Sequence, residues 1–162
     1  EKNRRAEGVT NVEFRLIEQL WQGIDPNAFD LLICRHAPIP FAEAARVLKS
    51  GGKLISQQVG HHNLMALQAA FDEDLNLGPT PEKTRTLLQS EGFEIADYQE
   101  YDVEFTFQDL ESLIFQLVAV APPLHFDPET HYENVASIVE ATSGSQGLVM
   151  NEQRHLYVAH QR

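Results

Sequence analysis

Apolar and polar positions alternate over Asn11–Glu18 (NVEFRLIE), with Val12, Phe14 and Leu16 on one side, and this two-residue period predicts a strand. Gly23–Ala28 (GIDPNA) is turn chemistry centred on Asp25-Pro26-Asn27. Leu31-Leu32-Ile33-Cys34 follows as an unbroken apolar run, the pattern of a strand buried on both faces of a parallel sheet. Phe41, Ala44, Ala45 and Leu48 then fall at helical spacing, and Gly51-Gly52 stand where a helix needs a left-handed residue to stop. Lys53–Val59 reads as the next strand. Two strands joined by one helix form a parallel pair with a right-handed crossover. That topology brings Cys34–Ala37 and Gly60–Asn63 to one sheet edge, the carboxyl ends of the strands, where open α/β sheets bind ligands.

Further along, Leu64, Leu67, Phe71 and Leu75 make one apolar stripe of a helix. Thr80 can cap the next helix, with Pro81 at its first position and Gly92 past its end. Phe93–Phe107 contains strand material, clearest at Val103, Phe105 and Phe107. Asp109 opens a helix carrying Leu110, Leu113, Ile114 and Leu117, which Pro122-Pro123 ends. Asp127-Pro128 starts another, with Tyr132, Val135 and Val139 facing inward, and Arg154–Ala159 alternates as a final strand. The order of strands and helices predicts one α/β layered domain over residues 1–162, without repeats or a low-complexity linker.

Composition narrows the function classes. The chain has 162 residues, 43% of them hydrophobic, enough for a substantial core. Its 24 acidic against 12 basic residues give a net charge of -12, which repels polyphosphate. The basic run Lys2-Asn3-Arg4-Arg5 reads as the solvated end of a helix, so a small molecule is favoured over nucleic acid as partner. A single cysteine, Cys34, excludes an internal disulfide and fits a reducing compartment. No apolar run approaches the roughly 20 residues of a membrane span, and no signal peptide heads the chain, so no membrane partner and a cytoplasmic location are expected. The chain opens on Glu1, already in the helix-like polar run EKNRRAEG, and is expected to be part of a longer protein.

Three stretches together resemble the C-terminal part of a class I S-adenosylmethionine-dependent methyltransferase, of the type 11-like group. Val12-Glu13-Phe14 leads to Glu18-Gln19-Leu20 and then to Phe29-Asp30-Leu31, similar to the family's strand, acid-containing loop and "FDLV" strand start. Phe41–Gly52 is similar to its F-x-E-x-x-R-V-L-K-P-G-G helix, with Ser50 in place of proline, and Lys53–Gly60 to its fifth strand. The resemblance covers roughly residues 8–100 by element order, and the final strand also fits. It implies a Rossmann-like methyltransferase sheet, mostly parallel with an antiparallel final strand, and S-adenosyl-L-methionine as cofactor. It also implies a helical substrate-side insertion at about 108–142. The family's glycine-rich first loop and the acid that binds the ribose hydroxyls are not in this sequence. They are expected upstream, in an N-terminal portion that would complete the donor site, and the segment alone is expected to be inactive.

The resemblance places Glu18 and the backbone of Gln19 against the donor's adenine, and Cys34, Arg35 and His36 beside its methyl group. An exposed strand-end acid is the plain alternative for Glu18. Cys34 would need a lowered pKa and access to act as a nucleophile, and behind Leu31-Leu32-Ile33 it reads as a small core residue. Arg35 can hold a substrate carboxylate or phosphate in a two-pronged pair, or a salt bridge at the sheet edge. Methyl transfer is an in-line displacement that rests on alignment, and a base is needed only for a protonated acceptor. His36 is the best-placed histidine for that role, followed by His61 and His62 as substrate-side residues. Phe115 and His125 fall off the helical stripe of the apolar LIFQLVAVAPPLHF segment, Leu113–Phe126, and are candidates for an acceptor pocket that excludes water. The pairs His61/His62, His125/His131 and His155/His160 lack metal-ligand spacing, so no metal site is expected. A non-catalytic binding or assembly module is the alternative reading. A nicotinamide oxidoreductase is disfavoured by the RVLKSGG junction.

Overall fold

The computed structural model describes residues 10–13, 21, 23–71, 79–119 and 126–162. Among them run, in chain order, β1 (Phe29–Arg35), α1 (Phe41–Val47), β2 (Leu48–Val59), α2 (Met65–Phe71), α3 (Pro81–Ser90), β3 (Phe93–Phe107), α4 (Leu110–Ala119), α5 (Tyr132–Thr142), β4 (Ser143–Gly144) and β5 (Gly147–Gln161). The sheet order is β1-β2-β5-β3, with β4 paired to β5. β1 and β2 are parallel, and β5 is antiparallel to both β2 and β3. The α/β class, the parallel β1–β2 pair and the antiparallel final strand match the sequence expectation.

Local chemistry accounts for most boundaries. Thr80 accepts a hydrogen bond from the Lys83 N–H at 3.4 Å, Pro81 opens α3, and Gly92 takes φ +84° beyond its end. Asp109 accepts from the N–H and the hydroxyl of Ser112 at 2.8 and 2.7 Å, which caps α4.

Four expectations are corrected. The helix expected to stop at Gly51-Gly52 ends at Val47, and Leu48 already pairs with Phe29 in the ladder. Gly51, at φ +78°, instead lies within β2 where the register with β1 shifts, since the next pair is Leu31 with Lys53. Second, β1 is not buried on both faces: Leu31 is 48% and Ile33 70% exposed, because nothing among the described residues packs on that side. Third, in α5 Tyr132 is exposed at the first position, and Val135, Ile138 and Thr142 form the inward stripe. Fourth, the final strand begins at Gly147, well before Arg154. Asn11–Glu13 lie in no strand, and the remainder of that expected strand, like Leu75 and Pro122-Pro123, lies outside the described residues.

Two cores form on opposite faces of the one sheet. Leu54, Tyr157, Ala159 and Phe93 pack with Ala44 and Leu48 from the α1 side and Leu88 of α3. Leu148, Met150 and Phe107 pack with Leu67 of α2, Leu113 and Leu117 of α4, and Val135 and Ile138 of α5. Along β5 the buried positions are therefore 148 and 150, then 153, 155, 157 and 159. Its register with β3 is unbroken from Leu148 to Val158, so no bulge rotates the strand. Each face is covered at a different end.

Candidate functional site: the carboxyl edge of β1 and β2

The parallel register sets Cys34 beside Ser56 and Arg35 beside Gln57. β1 then ends at His36, which turns to φ +52° while its N–H donates to the Gln57 carbonyl at 2.9 Å. A left-handed histidine is uncommon, and here it throws the chain out of the sheet plane. Pro38 and Pro40 supply no N–H for a ladder and carry the chain into α1. Between this loop, α3 and the sheet lies a cavity of about 650 Å³, within the range of small-molecule sites. Its walls are largely apolar, from Ala37 to Phe41 and from Leu87, with Gln58 and Val59 at the end of β2 and His155 and Tyr157 on β5.

The floor is a set of aromatic and imidazole groups. Tyr98 stacks on Tyr157 at 6.0 Å between ring centres, and the Arg85 guanidinium lies 4.1 Å from the Tyr98 ring centre. The Tyr98 hydroxyl and His155 Nδ1 are hydrogen bonded at 2.7 Å. His155 is only 3% exposed, and its Nε2 has no hydrogen-bond partner among the described residues. Burial lowers the His155 pKa and raises that of Tyr98; burial also pushes the Tyr157 hydroxyl up to about 12. His155 and Tyr157, which line the cavity, and Tyr98 behind them are thus uncharged near neutral pH.

At the rim, His36 is held below its ordinary value first by burial, then by the positive charges of Arg154 and Arg35, against a smaller opposing influence of Glu152. A neutral imidazole can accept a proton at pH 7. The loop following β2 is fixed by amides. Asn63 Oδ1 accepts from the Gln153 N–H at 2.9 Å and from Arg154 Nη1 at 2.6 Å. Gln153 Oε1 accepts from the His62 N–H at 2.8 Å, Asn151 Nδ2 donates to the His62 carbonyl at 2.6 Å, and Gln68 Nε2 donates to the carbonyls of His61 and Asn63. Gly60 allows this approach, since a Cβ there would stand 2.7 Å from His155 Nε2 and closer still to Gln153 Oε1.

Of the residues singled out from sequence, His36 lines the cavity. Arg35 and Cys34 precede it at the end of β1. Cys34 is half-buried, its Sγ 3.4 Å from the Ala37 carbonyl and 3.7 Å from Gln58 Nε2. His61 and His62 pack edge to face, 5.1 Å between ring centres, in the pinned loop and outside the cavity wall. Phe115 is 67% exposed on α4 and is not brought to the cavity. Glu18, Gln19 and His125 lie outside the described residues. Sequence reasoning passed over Gln58, Tyr98, Asn63, Arg154, His155 and Tyr157. The available signal was the run Gln153, His155, Tyr157: polar groups on the alternate, inward positions of a strand.

The sequence matches no family model and no curated protein. Solved structures are similar to it in fold. YcgJ from Bacillus subtilis has a TM-score of 0.68 at 14% identity, over 99% of this chain and 76% of that one. A Bacillus halodurans protein described as a candidate methyltransferase has a TM-score of 0.58 at 17% identity, over 86% of this chain and 73% of that one. The [4+2]-cyclase SpnF has a TM-score of 0.56 at 17% identity, over 99% of this chain and 60% of that one. The shared property is the Rossmann-like methyltransferase architecture, which hosts more than one reaction.

Proposed function

We propose that this chain contributes the acceptor side, and part of the donor side, of an S-adenosylmethionine-dependent methyltransferase acting on a small molecule. The observation that carries the reading is topological: the last strand, β5, runs antiparallel between β2 and β3, with a ligand-sized cavity at the carboxyl edge of the parallel pair. A dinucleotide-binding sheet of the 3-2-1-4-5-6 order has no such inserted strand, which disfavours hydride transfer.

The residues present fit the donor at one edge. β1 is an outer strand among the described residues, and the turned-out His36 leaves the end of β1 open. The segment Cys34–His36 would border the donor there, and Glu18 and Gln19 remain its proposed adenine partners. When bound, the donor supplies a methyl group made electrophilic by its sulfonium. The chain's own contribution is to hold the acceptor in line, keep water out with the apolar walls and, for a protonated acceptor, take the proton on the neutral His36 imidazole. The helical segment 108–142 is proposed as a substrate-side wall on the sheet face opposite the cavity. Its helices α4 and α5 pack with Leu64 and Leu67, next to the pinned loop. Leu31 and Ile33 present a bare apolar face beside the open edge, where the remainder of the sheet is proposed to dock.

Calorimetric titration of the whole protein with S-adenosylhomocysteine tests this first, followed by a screen of acceptors for the mass gain of one methyl. Saturable binding and a methylated product are expected. Absence of donor binding would refute the reading in favour of a non-catalytic module.

A further inference from the structure

His155 lines the cavity with one hydrogen bond unmade. Its Nδ1 is turned to the Tyr98 hydroxyl on the outer strand β3, 2.7 Å away, which directs Nε2 the other way, toward the end of β2. There the side chain opposite is Gln58, its register partner, which also lines the cavity. The imidazole is 3% exposed, and Nε2 has no partner among the described residues. Its polar neighbours are committed elsewhere. Gln58 Nε2 donates to Ser56 Oγ at 2.8 Å, and Gln153 Oε1 accepts from the His62 N–H at 2.8 Å. Gly60 offers only a hydrogen, since a Cβ on it would stand 2.7 Å from Nε2. A buried ring nitrogen left bare has lost its water for nothing, and a bound partner would restore the bond.

The surroundings select that partner. Ala37, Pro38, Ile39, Phe41 and Leu87 give the cavity an apolar wall. Among the described residues Glu91 lines it, and no lysine or arginine does. Glu100 and Glu82 add negative charge felt by His155, against Arg85 and His62, and the Arg85 guanidinium already lies over the Tyr98 ring at 4.1 Å. A carboxylate or phosphate would lose its water here without gaining a counter-charge, and an ammonium would lose its water against hydrocarbon. A hydroxyl suits either tautomer of His155, because it can donate to a bare Nε2 or accept from Nε2–H. We infer that the cavity takes an uncharged, largely hydrocarbon alcohol or phenol, its hydroxyl on His155 Nε2 and its body along the apolar wall. The volume of about 650 Å³ leaves room for a ring system. This inference rests on the methyltransferase reading for taking that molecule as the acceptor; the binding site itself does not need a donor.

The experiment titrates the whole protein with para-ethylphenol, ethylbenzene and para-ethylbenzoate, following affinity by calorimetry and the histidine ring nitrogens by NMR. Para-ethylphenol is expected to bind roughly three- to tenfold tighter than ethylbenzene and to move the His155 Nε2 resonance, which ethylbenzene leaves in place. Para-ethylbenzoate is expected to bind more weakly than the phenol. In His155→Leu, ethylbenzene binding reports that the cavity is intact, and the phenol's advantage over it should fall to about one. Should that variant fail to fold, the wild-type affinity ratio and the Nε2 resonance decide alone. Equal binding of phenol and hydrocarbon, an unmoved Nε2 resonance, tighter binding of the benzoate, or an undiminished advantage in H155L would each overturn the inference. A parallel titration with S-adenosylhomocysteine separates this from the donor reading. Phenol binding through His155 without S-adenosylhomocysteine binding would keep the site and remove the methyltransferase. The reverse would keep the methyltransferase and remove this class of ligand.

Discussion

The two faces of the sheet are finished to different degrees. On one, α1 and α3 close over Leu54, Phe93, Tyr157 and Ala159 beside the cavity. On the other, α2, α4 and α5 cover Leu148 and Met150 near the start of β5, while Leu31 and Ile33 on β1 meet no cover among the described residues. The same strand types and the same apolar side chains occur on both. What differs is what packs on them, so a side chain's contribution here is set by its face and not by its hydrophobicity.

That contrast can be broken by paired substitutions. Phe93→Ala, which opens a hole in the closed face, is expected to cost about 3–5 kcal/mol, whereas Ile33→Ala on the bare face should cost less than about 0.5 kcal/mol. Urea denaturation of both variants checks this, and equal losses would mean that the bare face is covered in solution. Within α4 the same logic separates Leu113→Ala, expected to lose about 2–5 kcal/mol, from Phe115→Ala two residues on and on the exposed side, expected to be near neutral.

A third measurement uses pH on the closed face. Burial lowers the folded-state pKa of His155, so the unfolded chain takes up the proton more readily. The stability this histidine contributes is therefore complete above the unfolded value of about 6.5 and falls as pH drops through it towards the lower folded value. Denaturation midpoints measured from pH 7.5 to 5, as round settings bracketing that value, should decline more steeply for the wild type than for His155→Gln. His36, half out at the rim and also lowered, should instead appear as an acid limb in kcat/KM if a protonated acceptor is used, with activity level above that limb. A modest effect is expected at the edge of the closed face. Thr80→Ala removes the α3 cap and should cost about 0.5–1 kcal/mol, read as a small drop in the melting temperature.

The β1–α1–β2 unit could be read from the sequence because its period, its crossover and its apolar runs all point the same way. The α3 boundaries could be read because Thr80, Pro81 and Gly92 act through purely local chemistry. The stop of α1 could not: Gly51-Gly52 offers a local signal, but pairing of Leu48 with Phe29 draws the chain into the ladder earlier. The length of β5 was hidden for a related reason. Its buried positions change sides between Met150 and Gln153, so no single two-residue period spans it. At the site, Arg35 and His36 stood out by their place at a strand end, whereas Arg154 meets Asn63, and Tyr98 meets His155, only across stretches far apart in sequence.

The amides that pin the turn after β2 have a consequence for recognition. Asn63, Gln68, Asn151 and Gln153 fix the backbone of residues 60–64 from several directions, so that stretch cannot swing over a guest as a flap. The loop beside the cavity is already in its final shape, and its conformational freedom is given up during folding, leaving little to be lost on association.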